Sequence, residues 1–286
     1  MDTFGPETIL VGVDRSQNSI EALVWARALG ARLGLGVTAA MVWQHLAWDF
    51  PGAGKSDPSA DDMDEMVVRD LESIIEEAGL ENVQCRALRG PTHQALQQAS
   101  TRPEVKMLVL GTRGLGPIAG LMLGSVSRKL LFGGTQPLVL VPQLEAHVPL
   151  DGVVVGLDGS PISESVAAWS ARLCSDLGAS ATILRCIDPG AELPPGLFDE
   201  IMTRSQLELD LEWCGPFRDL GVDHRSIIES GDPRACLIET ARVEKAGLIV
   251  IGLRGSGQFS GLGGTASYLV RHSTLPVAVI PALPDQ

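Results

Sequence analysis

Val105-Lys106-Met107-Leu108-Val109-Leu110 runs straight into Gly111-Thr112-Arg113-Gly114, and nine residues further on Gly124-Ser125 opens the stretch Val126-Ser127-Arg128-Lys129-Leu130-Leu131. The first run is a short apolar block, as expected of a strand covered on both faces. The last stretch reads as a helix with Gly-Ser at its start. A buried strand, a glycine loop and a helix start together supply backbone N–H groups, a positive helix end and a hydroxyl, the parts an anion requires. Any α/β fold also needs glycines in its strand-to-helix turns, and Gly111 to Gly116 alone would say no more than that. The distant Gly124-Ser125, together with an aspartate at the end of an earlier strand (Asp14), points instead to a ligand.

Working outward, the whole pattern occurs twice. Ile9-Leu10-Val11-Gly12-Val13-Asp14-Arg15-Ser16 matches Val153-Val154-Val155-Gly156-Leu157-Asp158-Gly159-Ser160. Trp25-Ala26-Arg27-Ala28-Leu29-Gly30 is echoed by Trp169-Ser170-Ala171-Arg172-Leu173-Cys174, and Val37 to Val42 by Ala181 to Cys186. Gly90-Pro91 parallels Asp232-Pro233, and Pro137 to Pro142 parallels Pro276 to Pro281. So many landmarks in one order mark an internal duplication.

Inside each repeat, strand and helix periodicity alternate. Ala22, Ala26, Leu29 and Leu33 recur at helical spacing, as do Val166, Ser170, Leu173 and Leu177. Val67, Leu71, Ile74, Ile75 and Ala78 predict a second amphipathic helix with acidic residues on its wet side. Its counterpart, Ile201 to Cys214, is expected to stop at Gly215-Pro216. The alternation predicts two tandem doubly wound α/β domains, residues 1–146 and 147–286, each with a parallel sheet flanked by helices. A short linker around Gln143 to Leu150, stiffened by Pro142 and Pro149, joins them. In such sheets ligands sit beyond the carboxyl ends of the strands, where Asp14 and the Gly111 loop both fall.

The chain of 286 residues is 45% hydrophobic and 20% charged, which suits two folded domains. Its formal net charge of −13 argues against nucleic acid or an anionic membrane as partner, though not against a nucleotide held locally by amides. The five cysteines have no C-x-x-C spacing, which is expected of free thiols in a reducing compartment. No apolar stretch has membrane-spanning length and the acidic N-terminus is unlike a signal peptide, so the expected location is cytoplasmic.

Val-Gly-Val-Asp-x-Ser on the first strand, with Gly111-x2-Gly114-x9-Gly124-Ser125-Val126-Ser127 after the fourth, resembles the universal stress protein family. The likeness covers essentially the whole chain as two tandem domains. It implies a Rossmann-like fold of the adenine-nucleotide alpha hydrolase type, with five parallel strands per domain. It further implies a bacterial, ATP-binding stress-response protein, with or without Mg2+. The domains would pair through their last strands, Leu138 to Val141 against Val277 to Ile280, and a homodimer is allowed as well.

Residue by residue, the family's site carries over onto the first repeat. Gly12, Val13 and Asp14 match positions near ribose and adenine, and Val42 matches the residue against the base. Gly111, Thr112, Arg113, Gly114, Gly116, Gly124, Ser125, Val126 and Ser127 match the phosphate-binding set. Glycines there would let the backbone approach phosphates and take positive φ. Ser125 would cap the helix and donate its hydroxyl. Taken alone, Asp14 would be a turn or cap residue, and Arg113 a solvated loop arginine; the resemblance gives each a ligand role.

In the second repeat Gly156, Asp158, Gly252, Arg254 and Gly255 repeat the pattern, but the next glycines come early. With Gly263-Gly264 in the Gly-Ser place the loop is two residues short and the serine is lost; with Gly264-Thr265 there it is one residue short and a hydroxyl survives. Cys186 stands in the place of Val42.

Other motifs are discounted. Gly52-Ala53-Gly54-Lys55-Ser56 contains the Gly-Lys-Ser of a Walker A loop, but Asp49 stands where its first glycine belongs. His45 follows the second strand at its carboxyl end, within reach of a ligand; none of the five histidines has metal-ligand spacing. There is no G-x-S-x-G elbow. The reading is therefore an ATP-binding protein that is non-enzymatic or a weak ATPase. The alternatives are a module for AMP or cyclic AMP, and a true ATPase or nucleotidyl transferase, against which the missing Walker lysine and general base weigh.

Overall fold

The computed structural model describes residues 7–44, 59–113, 124–133, 135–144, 148–188, 196–253 and 263–282. Gly114, Gly116, Arg254, Gly255, His45 and the Gly52 to Ser56 segment lie outside the described residues, as does the middle of the linker. The chain divides into two compact units, Met1–Gln136 and Pro137–Gln286.

The first unit runs β1 (Thr8–Gly12), α1 (Gln17–Leu33), β2 (Gly36–Trp43), α2 (Ala60–Glu77), β3 (Val83–Arg89), α3 (Thr92–Ser100), β4 (Val105–Gly111) and α4 (Ser125–Gly133). Its strands lie in the order β3-β2-β1-β4, all parallel. Ile9, Leu10 and Val11 are consecutive and fully buried, so both faces of β1 are covered. α1 packs on β4 and β1, α2 on β3 and β2, and α3 on α4 and β4.

The second unit opens with β5 (Leu138–Val141). It continues through β6 (Gly152–Gly156), α5 (Ile162–Leu177), β7 (Ser180–Ile187), α6 (Leu197–Glu208), α7 (Gly215–Asp219), β8 (His224–Ser230), α8 (Pro233–Val243), β9 (Leu248–Gly252), α9 (Gly264–His272) and β10 (Val277–Ile280). The strand order is β5-β10-β9-β6-β7-β8. β6 to β10 are parallel, and β5 runs antiparallel to β10 with Val277 opposite Leu140 and Val279 opposite Leu138. The last strand of the first repeat is thus gathered with the second unit, against its own repeat counterpart. All five cysteines are free, and among the described residues no helix is long and apolar enough to cross a membrane.

Local chemistry explains the element ends. Ser16 caps α1 by accepting from the Ser19 N–H at 3.2 Å, and Gly34 closes it in the left-handed region at φ 68°. Ser59 and Asp62 form a reciprocal capping box at the start of α2. The turn after β1 needs a left-handed residue: Gly159 takes φ 75° in the second unit, and Arg15 takes φ 66° in the first while pairing with Asp70 of α2. As expected, the helical run that passes from α6 through a π turn over Leu209–Trp213 stops at Cys214, just before Gly215-Pro216; a separate short helix, α7, then starts at Gly215 with proline in its first turn. There its missing N–H has no helical partner to lose.

α2 is clamped to the sheet at the carboxyl ends of β2 and β3. Asp64 accepts the Trp43 indole N–H at 2.7 Å and Arg89 Nη2 at 2.6 Å, while Arg89 also reaches Asp61 at 2.8 Å. The Arg89 guanidinium beside Asp64 holds that carboxyl below its ordinary value near 3.8. A depressed carboxylate stabilises above its unfolded pKa, and this is lost as pH falls through the folded value. Asp64→Asn should therefore lower the urea midpoint at pH 7, and the gap to wild type should close below about pH 4. A gap independent of pH would contradict the clamp.

Candidate functional site

β1 lies between β2 and β4, so the order turns around at β1/β4 and a crevice opens beyond their carboxyl ends. Gly12 is level with Leu110, which carries Asp14 and Thr112 past the sheet on neighbouring strands. Segments nearly a hundred residues apart in the chain meet there.

The contact between them is made by Asn18, at the start of α1, which the sequence reading did not single out. Its Oδ1 accepts the Arg113 N–H at 2.8 Å and the Thr112 hydroxyl at 3.2 Å. Asn18 is 8% exposed, so these bonds are shielded from water. A Cβ on Gly111 would come within 2.9 Å of the Asn18 backbone and carboxamide oxygens. Gly111 is therefore small because α1 abuts it. The available signal was a polar-for-apolar difference between otherwise matched repeats, since Ile162 stands where Asn18 does.

The helix start is built as expected, with the residue roles shifted by one. The Gly124 carbonyl accepts the Arg128 N–H at 3.0 Å, so Gly124 occupies the cap position and Ser125 is the first helical residue, exposed. Ser125 is thus not the cap. The N–H groups of the first turn lack helical acceptors and carry the positive end of the helix. The Gly124 N–H itself donates to the Thr112 carbonyl at 2.8 Å, and Ser127 donates to the Gly111 carbonyl at 3.2 Å. These two bonds tie the α4 start to the end of β4.

The expected positive φ does not occur at Gly12, Gly111, Gly124 or Gly156. Gly12 is small because a Cβ would overlap Leu110 and lie 3.3 Å from Leu96. Gly156 would similarly meet Leu237 at 2.9 Å. Only Gly124 has ordinary room, with Thr112 O at 3.6 Å. Val13 is buried and gives its N–H to Ala40 at 2.9 Å, so only its neighbours face outward. Asp14 is exposed, and its carboxylate accepts the Ser16 hydroxyl at 2.6 Å and N–H at 3.1 Å. Val42, near the end of β2, is half-buried, and Val126 stands beside Ser125 on the first turn of α4. Arg113 is exposed.

The second unit settles its own register. The Gly263 N–H donates to Leu253 at 3.1 Å and the Gly263 carbonyl accepts from Ser267 at 2.8 Å, matching Gly124 bond for bond. Gly264 thus takes the Ser125 place, Thr265 that of Val126, and Ala266 that of Ser127. Asp158 keeps its wiring to Ser160 and Ser163. Cys186, in the Val42 place, hydrogen-bonds the Cys236 thiol, and burial pushes it well above the usual thiol range. Among the described residues no cluster of three or more metal-ligating side chains occurs.

The sequence model of the universal stress protein family matches residues 6–142 and again 150–281. The chain belongs to the universal stress protein family. A universal stress protein of Mycolicibacterium smegmatis is 29% identical over 95% of this chain and 96% of its own length. One from Mycobacterium tuberculosis H37Rv is 32% identical over 65% of this chain and 63% of its own. The crystal structure of a universal stress protein from Archaeoglobus fulgidus shares the fold, with a TM-score of 0.64 and 21% identity over 98% of this chain and all of that one.

The packing predicts that the site's glycines differ in kind. Gly12→Ala should cost about 1–3 kcal/mol in urea unfolding, as overpacked cores do. Gly124→Ala should cost under about 1 kcal/mol, no more than a poorer cap. Equal losses would contradict the assignment.

Proposed function

We propose that this universal stress protein binds an adenine nucleotide, ATP, beyond the carboxyl ends of β1 and β4, and acts in the cytoplasm as a nucleotide-dependent stress-response regulator. The observation that carries the reading is the meeting of Gly111-Thr112-Arg113, the α4 start and Asp14 at one strand-order reversal, in a chain of this family. The first-turn amides of Ser125, Val126 and Ser127 would receive phosphate oxygens, aided by the helix dipole and the Ser125 hydroxyl. Gly124, with room above it, lets the phosphates approach the backbone. Arg113 would add a charge, and Mg2+ would come with the triphosphate. Gly114 and Gly116 belong to the same proposed set. Asp14 and the edge of β2 at Val42 would face ribose and base, with Gly12 shaping that wall by its packing.

Catalysis is not part of the proposal. A phosphoryl transfer enzyme would need a lysine and a proton acceptor arranged about the γ-phosphate, and the sequence has no Walker lysine. The same cradle suits AMP or cyclic AMP, which share the base and a phosphate. A partner nucleic acid is disfavoured by the net charge of −13. Self-association into a homodimer would be a separate property of the surface.

Titration calorimetry decides the reading. ATP should bind with a dissociation constant of about 1–10 µM, near −8 kcal/mol. At about 100 times that constant it should stabilise the fold by about 2.7 kcal/mol in thermal unfolding. AMP and cyclic AMP form the comparison arms, and phosphate release with Mg2+ should stay at background. Absence of heat and of any thermal shift with all three nucleotides would end the proposal.

A further inference from the structure

The two repeats share their backbone wiring but not the polar groups that line it, and the differences fall together. In the first unit Asn18 Oδ1 accepts the Arg113 N–H at 2.8 Å and the Thr112 hydroxyl at 3.2 Å, and the Ser127 hydroxyl donates to the Gly111 carbonyl at 3.2 Å. In the second, Ile162 replaces Asn18, Leu253 replaces Thr112, Ala266 replaces Ser127 and Gly264 replaces Ser125. None of the four replacements has a side-chain donor or acceptor. The Leu253 N–H donates to the Ile280 carbonyl at 2.8 Å, so it is spent within the sheet. The stretch between the two conserved glycines is also two residues shorter, Gly255 to Gly263 against Gly114 to Gly124.

We propose that Asn18 is the positioning residue of the first unit's phosphate loop, and that its loss at Ile162, with the accompanying replacements, leaves the second unit without a nucleotide site. The chain then takes one nucleotide. This rests on the nucleotide-binding reading above. The physical basis is the buried carboxamide. An amide aimed at a phosphate is useful only when its direction is fixed before the ligand arrives. Asn18 fixes it from α1, an element that the strand order places beside the loop. Ile162, at the first position of α5, has no side-chain acceptor to offer in that place.

The test uses the full-length protein, ATP as titrant and three variants: Asn18→Ala, Asn18→Ile and Asn18→Asp. Wild type should bind about one ATP per chain. Asn18→Ala, which removes the acceptor while suiting a helix, should weaken binding by about tenfold or more, equivalent to about 1.4 kcal/mol. Asn18→Ile, the second unit's own residue, should do at least as much. Amide hydrogen exchange at Arg113 should quicken in both, but not in Asn18→Asp, which keeps an oxygen in place. Circular dichroism identifies a variant that fails to fold, and Asn18→Ala remains informative if the isoleucine variant is lost. Two equivalent sites in wild type would overturn the single-site claim. Wild-type affinity or unchanged Arg113 exchange in Asn18→Ala would overturn the positioning role. No binding by wild type at all would instead sink the nucleotide reading itself, and this inference with it.

Discussion

Parallel pairing of β1 with β4, and of β6 with β9, is the contact on which both halves of the molecule depend. It inserts the first strand of each repeat between the second and the fourth. The chain must therefore cross over one face to reach β2 and β3 and then return to the other side of β1. That return creates a place in each unit where neighbouring parallel strands send their following segments apart, and a crevice opens there. Gly12 and Gly156 exist to let this pairing pack. Their missing Cβ atoms leave room for Leu110 with Leu96, and for Leu237 with Ile251. Glycine at the strand ends Gly12, Gly111 and Gly156 thus serves close approach of neighbouring elements, whereas the left-handed conformation is taken at caps and tight turns such as Gly34 and Gly159.

The site follows from that crossing. Gly111 brings β4 against the start of α1, and Asn18 turns the contact into a specific one by accepting the Arg113 N–H and the Thr112 hydroxyl. The Gly124 and Ser127 bonds then fasten the start of α4 to the same strand end. The end of β4, the start of α4 and α1 form one bonded assembly, in which the side-chain hydrogen bonds are shielded and so cost more to break than they would in water. On the other side, Trp43, Asp64 and Arg89 lock α2 to the ends of β2 and β3. By strand register Ile187 and Ser230 occupy the corresponding places in the second unit, where Arg185 and Glu208 join β7 to α6 instead, at 3.1 Å.

Duplication followed by unequal polar substitution accounts for this asymmetry. Both repeats retain what the sheet needs: apolar strands, the Asp-x-Ser turn and a glycine at the helix cap. The groups that differ are those that would orient a ligand and that the core can do without. Replacing Asn18 by Ile162 or Ser127 by Ala266 leaves packing satisfied, so stability places little constraint on such exchanges.

Periodicity and internal repetition were enough to establish the alternating α/β order, the tandem duplication and the strand ends that carry Asp14 and Gly111. Those features depend on contacts local in sequence or on a burial pattern that any reader of the chain can count. The helix stop before Gly215-Pro216 was legible too, whereas the π turn at Leu209–Trp213 and the short helix that starts at Gly215 were not. The register of the second glycine loop was left between two choices. Only the Gly263 to Leu253 bond, which joins a helix to a strand end, selected one. Asn18 was invisible for the same reason: it lies 95 residues from Arg113, and its importance arises where strand order brings α1 and β4 together. Sequence alone determined which elements form and which ends face the crevice. Tertiary structure decided which polar atoms meet there, since hydrogen bonds between distant segments leave no periodic trace along the chain.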